Sequence, residues 1–259
     1  MKIAVSGKGG VGKSTIAASI ALILAQRGQR VLALDADPDA NLAAALGIPK
    51  TTKITPISTE IALIEERTGA KVTEYGRVFK LNPEVSDLSE KLAIKHNGVE
   101  LMVLGAVRKG GGSGCACPES TFVKALVSDL VLYKNETLVM DMEAGIEHLG
   151  RATAMGVDVM LIVVEPGQRA LDCAAAAIRM SKEIGIKNFV VAGNKVTCDD
   201  DRRYIADSLP DMKVSVFLPY SEGIRSADRD GASALEGMGD TERSVIEGLI
   251  DTIWKGKQS

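Results

Sequence analysis

Residues 7–14 read Gly7-Lys8-Gly9-Gly10-Val11-Gly12-Lys13-Ser14, the GxxxxGK[ST] spacing of a Walker A phosphate loop with a second lysine, Lys8, near its start. That spacing describes a physical device. Glycines let successive backbone N–H groups turn inward around a di- or triphosphate, Lys13 reaches the β- and γ-phosphates, and the Ser14 hydroxyl ligates Mg²⁺. The flanks suit it. Lys2-Ile3-Ala4-Val5-Ser6 is a short apolar strand, and Ser14 to Gln26 has helical character dominated by alanine, leucine and isoleucine. Phosphates held here sit on a helix N-terminus, where unpaired N–H groups and the dipole favour anions. Gly7, Gly9, Gly10, Val11, Gly12, Lys13, Ser14 and Thr15 are therefore expected to line a nucleotide.

Composition sets the outer limits. The 259 residues are 46% hydrophobic and 25% charged, ample for a core, and only 3% aromatic, so that core must be aliphatic. A net charge of −3 lacks the electrostatic footprint of a nucleic-acid binder. The chain starts on its first strand, leaving no room for a signal peptide. No apolar run reaches the roughly 18 residues of a membrane span. The expectation is a soluble cytoplasmic protein without nucleic-acid or membrane partners.

Apolar β-branched runs alternate with helical stretches along the whole chain. Arg30 to Asp35, Val99 to Leu104, Thr137 to Asp141, Val157 to Glu165, Phe189 to Asn194 and Val214 to Leu218 read as strands. Continuous apolar strands separated by helical crossovers predict an α/β fold, a mostly parallel twisted sheet with helices on both faces. One P-loop NTPase domain over residues 1–259 is expected. Ligands in such sheets gather at the strands' C-terminal ends, and Gly7, Asp35, Asp37, Asp141, Glu165 and Asn194 all fall there.

Three segments complete a nucleotide site. Asp35-Ala36-Asp37-Pro38 closes the second strand, where an acid holds a Mg²⁺-bound water or orients the attacking water. Asp141 after Leu138-Val139-Met140 fits a Walker B carboxylate. Gly145 follows, placed for its N–H to meet the γ-phosphate. Asn194-Lys195 ends a later strand, as base-reading motifs do. A guanine reader carries an acid two residues on, whereas Thr197 stands there, so adenine is favoured. Pro219-Tyr220 is expected to line the same base pocket.

Lys8 carries a resemblance. The loop is similar to the deviant Walker A of the ATPases that include septum-placement and plasmid-partition proteins, the nitrogenase iron protein and nickel-insertion ATPases. The resemblance implies a homodimer that ATP closes face to face, with Lys8 reaching the partner's phosphates. It also implies that Asp37 governs water attack, with Asp35 and Asp141 nearer the magnesium. Lys8, Lys13 and Asp37 are then the catalytic set, with ATP or ADP and Mg²⁺ as cofactors.

Cys115-Ala116-Cys117 follows the stretch Gly110-Gly111-Gly112-Ser113-Gly114. Two thiolates cannot fill a tetrahedral site, but a symmetric dimer brings two pairs together as four. That set suits Ni²⁺ or Zn²⁺, and also accepts iron. Cys173, among Ala174 to Ala177, reads as helix packing, and Cys198 before three aspartates as a packed or surface thiol. His96 reads as part of a polar loop beside Asn97-Gly98. His148 stays outside the metal shell. The cysteine segment together with Asp141-Met142-Glu143-Ala144-Gly145-Ile146-Glu147-His148-Leu149 resembles the CooC-type ATPases. The resemblance implies nickel insertion into carbon monoxide dehydrogenase or the related acetyl-CoA synthase, with that client as partner. The competing classes are an iron–sulfur ATP-dependent reductase and a MinD/ParA-like spatial switch. The C-terminal helix carries the stripe Val245, Ile246, Leu249, Ile250, Ile253 and Trp254, but its polar face lacks the lysine and arginine density of an interfacial helix. It reads as core packing.

Overall fold

The computed structural model describes residues 1–72, 78–106, 118–132, 136–143, 156–210 and 212–256. Strands β1 (Lys2–Ser6), β2 (Val31–Ala36), β3 (Ile94–His96), β4 (Val99–Val103), β5 (Thr137–Met142), β6 (Val159–Val164), β7 (Phe189–Val196) and β8 (Val214–Pro219) form one sheet. Its order is β3-β4-β2-β5-β1-β6-β7-β8. Every pairing is parallel except that of β3 with β4. The described helices are α1 (Lys13–Gln26), α2 (Leu42–Ala45), α3 (Ile61–Thr68), α4 (Leu88–Leu92), α5 (Pro118–Leu132), α6 (Gln168–Glu183), α7 (Asp199–Ser208), α8 (Glu222–Asp230) and α9 (Asp240–Gly256).

The central strands are apolar without interruption because both of their faces are covered. Alternate residues go to opposite layers. Ile3, Val5, Val139, Leu161 and Val163 pack with Ile16, Ile20, Ile23 and Leu24 of α1 and with Ile246, Leu249, Ile250 and Ile253 of α9. Ala4, Leu138, Met140, Met160, Ile162 and Val164 pack on the other side with Phe122 and Leu126 of α5 and Leu171 and Ala174 of α6. Helix α1 is apolar on nearly all sides because it lies between the sheet and α9. The stripe expected on the C-terminal helix is the buried face of α9. Among the described residues no helix is long and apolar enough to cross a membrane.

Three local readings change. His96 is not in a loop: it ends β3 and pairs with Val99. Asn97 (φ 47°) and Gly98 (φ 79°) form the left-handed two-residue turn that a hairpin requires. Three residues, with Lys95 exposed and tied to Glu100 at 3.3 Å, are too few to show a strand period. Strand β7 runs beyond Asn194 to Val196. Cys173 is half-buried on α6 rather than in the core, and Cys198 is an exposed thiol at the start of α7.

Phe122 is the largest fully buried side chain, so the aliphatic layer around it has little capacity to collapse. Phe122→Ala is expected to lower stability by about 3–5 kcal/mol, and Phe122→Leu by well under half of that. Urea unfolding of the nucleotide-free protein measures both.

Candidate functional site

Chain order reverses at β1, which has β5 and β2 on one side and β6, β7 and β8 on the other. The crevice outside the carboxyl ends at such a reversal is where open α/β sheets take ligands. The loop from Gly7 to Gly12 leaves β1 there. A Cβ on Gly7 would run into the Val163 carbonyl of β6. Val11 is fully buried in the α1-side core and anchors the middle of the loop. Gly12, at φ 96°, is the left-handed N-cap of α1. That helix has no side-chain cap and no acid in its first turn, so nothing on the helix itself competes for an anion at its N-terminus.

Three carboxylates converge beside this loop. The parallel register sets Asp35 directly against Asp141, and both are wholly buried. Asp35 has both oxygens committed: Oδ1 accepts the Asp37 N–H at 3.2 Å and Oδ2 accepts the Leu42 N–H at 2.9 Å. Burial pushes its pKa up to about 7 against the pull of those two bonds, with the Asp141 and Asp37 charges adding to the rise. Asp35 thus tethers the segment from Asp37 to Leu42. Neither oxygen of Asp141 makes a full hydrogen bond. Burial raises it to about 6, opposed by the nearby Ser14 hydroxyl and the Lys13 ammonium and reinforced by Asp37. A buried carboxylate with two unengaged oxygens beside a serine hydroxyl offers hard oxygen donors, and a hydrated Mg²⁺ fits that set.

Lys13 is also buried, and its Nζ lies 3.5 Å from Asp37 Oδ2. Asp37 Oδ1 accepts the Asp39 N–H at 3.1 Å. Lys8 is half-buried beside the exposed Gly9 and Gly10.

Asn194 and Lys195 reach the phosphate loop itself. Asn194 Nδ2 donates to the Val11 carbonyl at 2.7 Å, and Lys195 Nζ donates to the Gly10 carbonyl at 2.5 Å and to Glu165 Oε2 at 3.0 Å. Pro219 pairs with Val196 beside them. Tyr220 is exposed, with its hydroxyl donating to Glu222 at 3.1 Å. Thr197 gives both its N–H and its hydroxyl to Asp201, which holds that carboxyl below the usual range. Gly145, Cys115, Cys117 and His148 lie outside the described residues. Among the described residues no group of three or more His, Cys, Asp or Glu side chains is placed to hold a metal ion.

Sequence reasoning missed two contacts. Glu165 reads as one of the polar residues at the strands' C-terminal ends, but nothing local signals its pairing with Lys195. Ser6 reads as the last residue of a strand, yet its hydroxyl donates to the Glu143 carbonyl at 3.1 Å and ties β1 to the exit of β5.

A phosphate loop on a helix N-terminus, a paired lysine and buried acids at the switch point define a P-loop nucleotide-binding protein. A profile of the CobQ/CobB/MinD/ParA nucleotide binding domain matches residues 2–234. The carbon monoxide dehydrogenase accessory protein CooC of Rhodospirillum rubrum is 43% identical over 91% of this chain and 90% of its own. An uncharacterised ATP-binding protein of Methanocaldococcus jannaschii is 41% identical over 86% and 87%. Among solved structures, the Aquifex aeolicus MinC:MinD cell division protein complex matches with a TM-score of 0.69 at 20% identity, over 97% of this chain and 95% of that one. The septum site-determining protein MinD of Pyrococcus horikoshii, complexed with Mg-ADP, gives 0.66 at 19%, over 97% and 94%. The chain belongs to the CobQ/CobB/MinD/ParA nucleotide-binding family and, within it, to the CooC type.

The buried acids make a signed prediction. The folded-state pKa of Asp141 lies above its ordinary value of 3.8, so the native state binds that proton more tightly. The resulting stability is fully present below about pH 4 and is lost as pH rises through about 6. Asp141→Asn is therefore expected to stabilise the nucleotide-free protein at pH 8 by up to about 3 kcal/mol. The gain should fade towards pH 4, while Mg²⁺-dependent ATP binding is lost. Urea melts across that range and calorimetry of Mg·ATP binding measure the two.

Proposed function

We propose that this protein is a Mg²⁺-dependent ATPase that acts as a nickel metallochaperone, maturing carbon monoxide dehydrogenase or the related acetyl-CoA synthase. The observation that carries this reading is the 43% identity to an accessory protein of carbon monoxide dehydrogenase, extending over nine-tenths of both chains. The Cys115-Ala116-Cys117 segment supports the metal half. Nickel is cargo here. Two chains supply four thiolates across a homodimer axis, and Zn²⁺ can substitute. The whole of residues 1–259 acts as one ATPase domain in the cytoplasm.

The chain's own groups suggest how nucleotide drives it. Lys13, paired with Asp37 at 3.5 Å, turns to the β- and γ-phosphates when ATP enters. Asp37 then loses its cation and orients the attacking water. N–H groups of Gly10 and of Gly12 to Thr15 cradle the phosphates. Ser14 and Asp141 would hold Mg²⁺, which would supply positive charge against the phosphates. Lys8 crosses to the partner's phosphates and closes the dimer, the electrostatic role of an arginine finger. Gly145 reports loss of the γ-phosphate. Asn194, Lys195, Pro219 and Tyr220 border the adenine. Closing the dimer changes the spacing of the two Cys115 and Cys117 pairs, and hydrolysis relaxes it.

Anaerobic nickel titration of the wild type beside a Cys115→Ala/Cys117→Ala variant tests the metal site. One metal per two chains with thiolate charge-transfer absorption, lost in the variant, is expected. Equal binding by the variant rejects the site, and iron with sulfide in freshly prepared protein points to electron transfer. Lys8→Ala is expected to keep the fold and lose the ATP-dependent dimer. Light scattering that still shows the dimer with ATP rejects the cross-subunit clamp.

A further inference from the structure

Adjacent residues of a strand point to opposite faces, yet Asn194 and Lys195 both reach the phosphate loop. Two features of β7 make that possible. Its register against β8 slips between Gly193 and Val196, so the strand bulges there. Lys195 itself adopts a left-handed backbone conformation, φ 56°. A non-glycine residue in that region is strained, and such strain persists where the surroundings hold it. What holds Lys195 is its side chain, with Nζ shared between the Gly10 carbonyl at 2.5 Å and Glu165 Oε2 at 3.0 Å.

We infer that Glu165 and Lys195 are positioning residues for the phosphate loop: Glu165, from the end of β6, aims Lys195 at the Gly10 carbonyl, and with Asn194 on the Val11 carbonyl they set the orientation of the loop's peptides. A trans peptide carries its N–H opposite its C=O. Pinning the Val11 carbonyl towards β7 therefore turns the Gly12 N–H to the other side, where the phosphates of a nucleotide lie, while the Val11 N–H, opposite the pinned Gly10 carbonyl, donates to the Lys8 carbonyl at 3.3 Å and closes a turn in the loop. The fit on the Asn194 side is close, since a Cβ on Gly12 would run into the Asn194 amide. The Glu165–Lys195 pair is partly exposed, its side chains 27% and 41% accessible, so it adds little to global stability. Its effect is directional. A nucleotide bound to a loop set in this way does not have to order it, and that saving appears in the dissociation rate.

The inference rests on the reading of this loop as the nucleotide site. The test compares wild type, Lys195→Gly, Glu165→Gln and the double variant, using stopped-flow release of a fluorescent ADP analogue, melting of the nucleotide-free protein, and ATP-over-GTP preference. Glycine relieves the positive φ while deleting the contact, so stability and binding should move in opposite directions. Lys195→Gly is expected to release ADP about tenfold faster, the loss of one charge-assisted hydrogen bond, at an unchanged or higher melting temperature. Glu165→Gln is expected to release it about threefold faster, with the double variant no faster than Lys195→Gly because the two residues act in series. Wild-type release by Lys195→Gly, or additive effects in the double variant, would overturn the inference. So would faster release that merely tracks a lower melting temperature. A changed base preference at unchanged release would overturn it in favour of base reading. A wild type that binds no ADP would overturn the nucleotide site itself, and this inference with it.

Discussion

Parallel pairing of β1 with β5 along one edge and with β6 along the other is the constraint on which the rest depends. It removes β1 from water on every side, so the loop leaving it can go only to the carboxyl end of the sheet. The same register brings Asp141 beside Val5 and Asp35 beside Asp141, placing two carboxylates where water cannot screen them. Their raised pKa values follow from burial before any functional argument is made. Burying two acids in this way works against the stability of the sheet that builds the site.

The two acids divide the work by their hydrogen bonds. Asp35 accepts two backbone N–H groups and fixes the course of the chain from Asp37 to Leu42. Asp141 accepts no full hydrogen bond and keeps both oxygens available. Asp37 stands between these roles, close to Lys13 and capping Asp39. Three aspartates of similar sequence context therefore differ in what their oxygens hold because of where the backbone N–H groups lie. A sequence records the acids but not those donors.

Legibility followed that division. The glycine spacing from Gly7 to Gly12 is local, so the loop and its helix were readable directly, as were the acid-terminated strands at Asp35 and Asp141. That those acids face each other needs the strand order, which is a non-local fact. Strand β3 escaped because a three-residue edge strand with one exposed lysine carries no usable period. Asn194 and Lys195 were readable as a polar pair at a strand end but not in their contacts, since a strand's alternation separates neighbours and only the bulge and a left-handed lysine reunite them. Glu165 was readable as a strand-end residue on the ligand side of the sheet but not in its partner, which is thirty residues away on another strand. The Cys115 and Cys117 assignment rests on residue type and resemblance.

Both phosphate-loop cations outside Lys8 are internally neutralised: Lys13 faces Asp37, and Lys195 faces Glu165. Two of the positive charges beside the loop are therefore already matched by carboxylates of the protein. A phosphate that reached Lys13 would have to take it from Asp37, a short-range exchange of one anion for another.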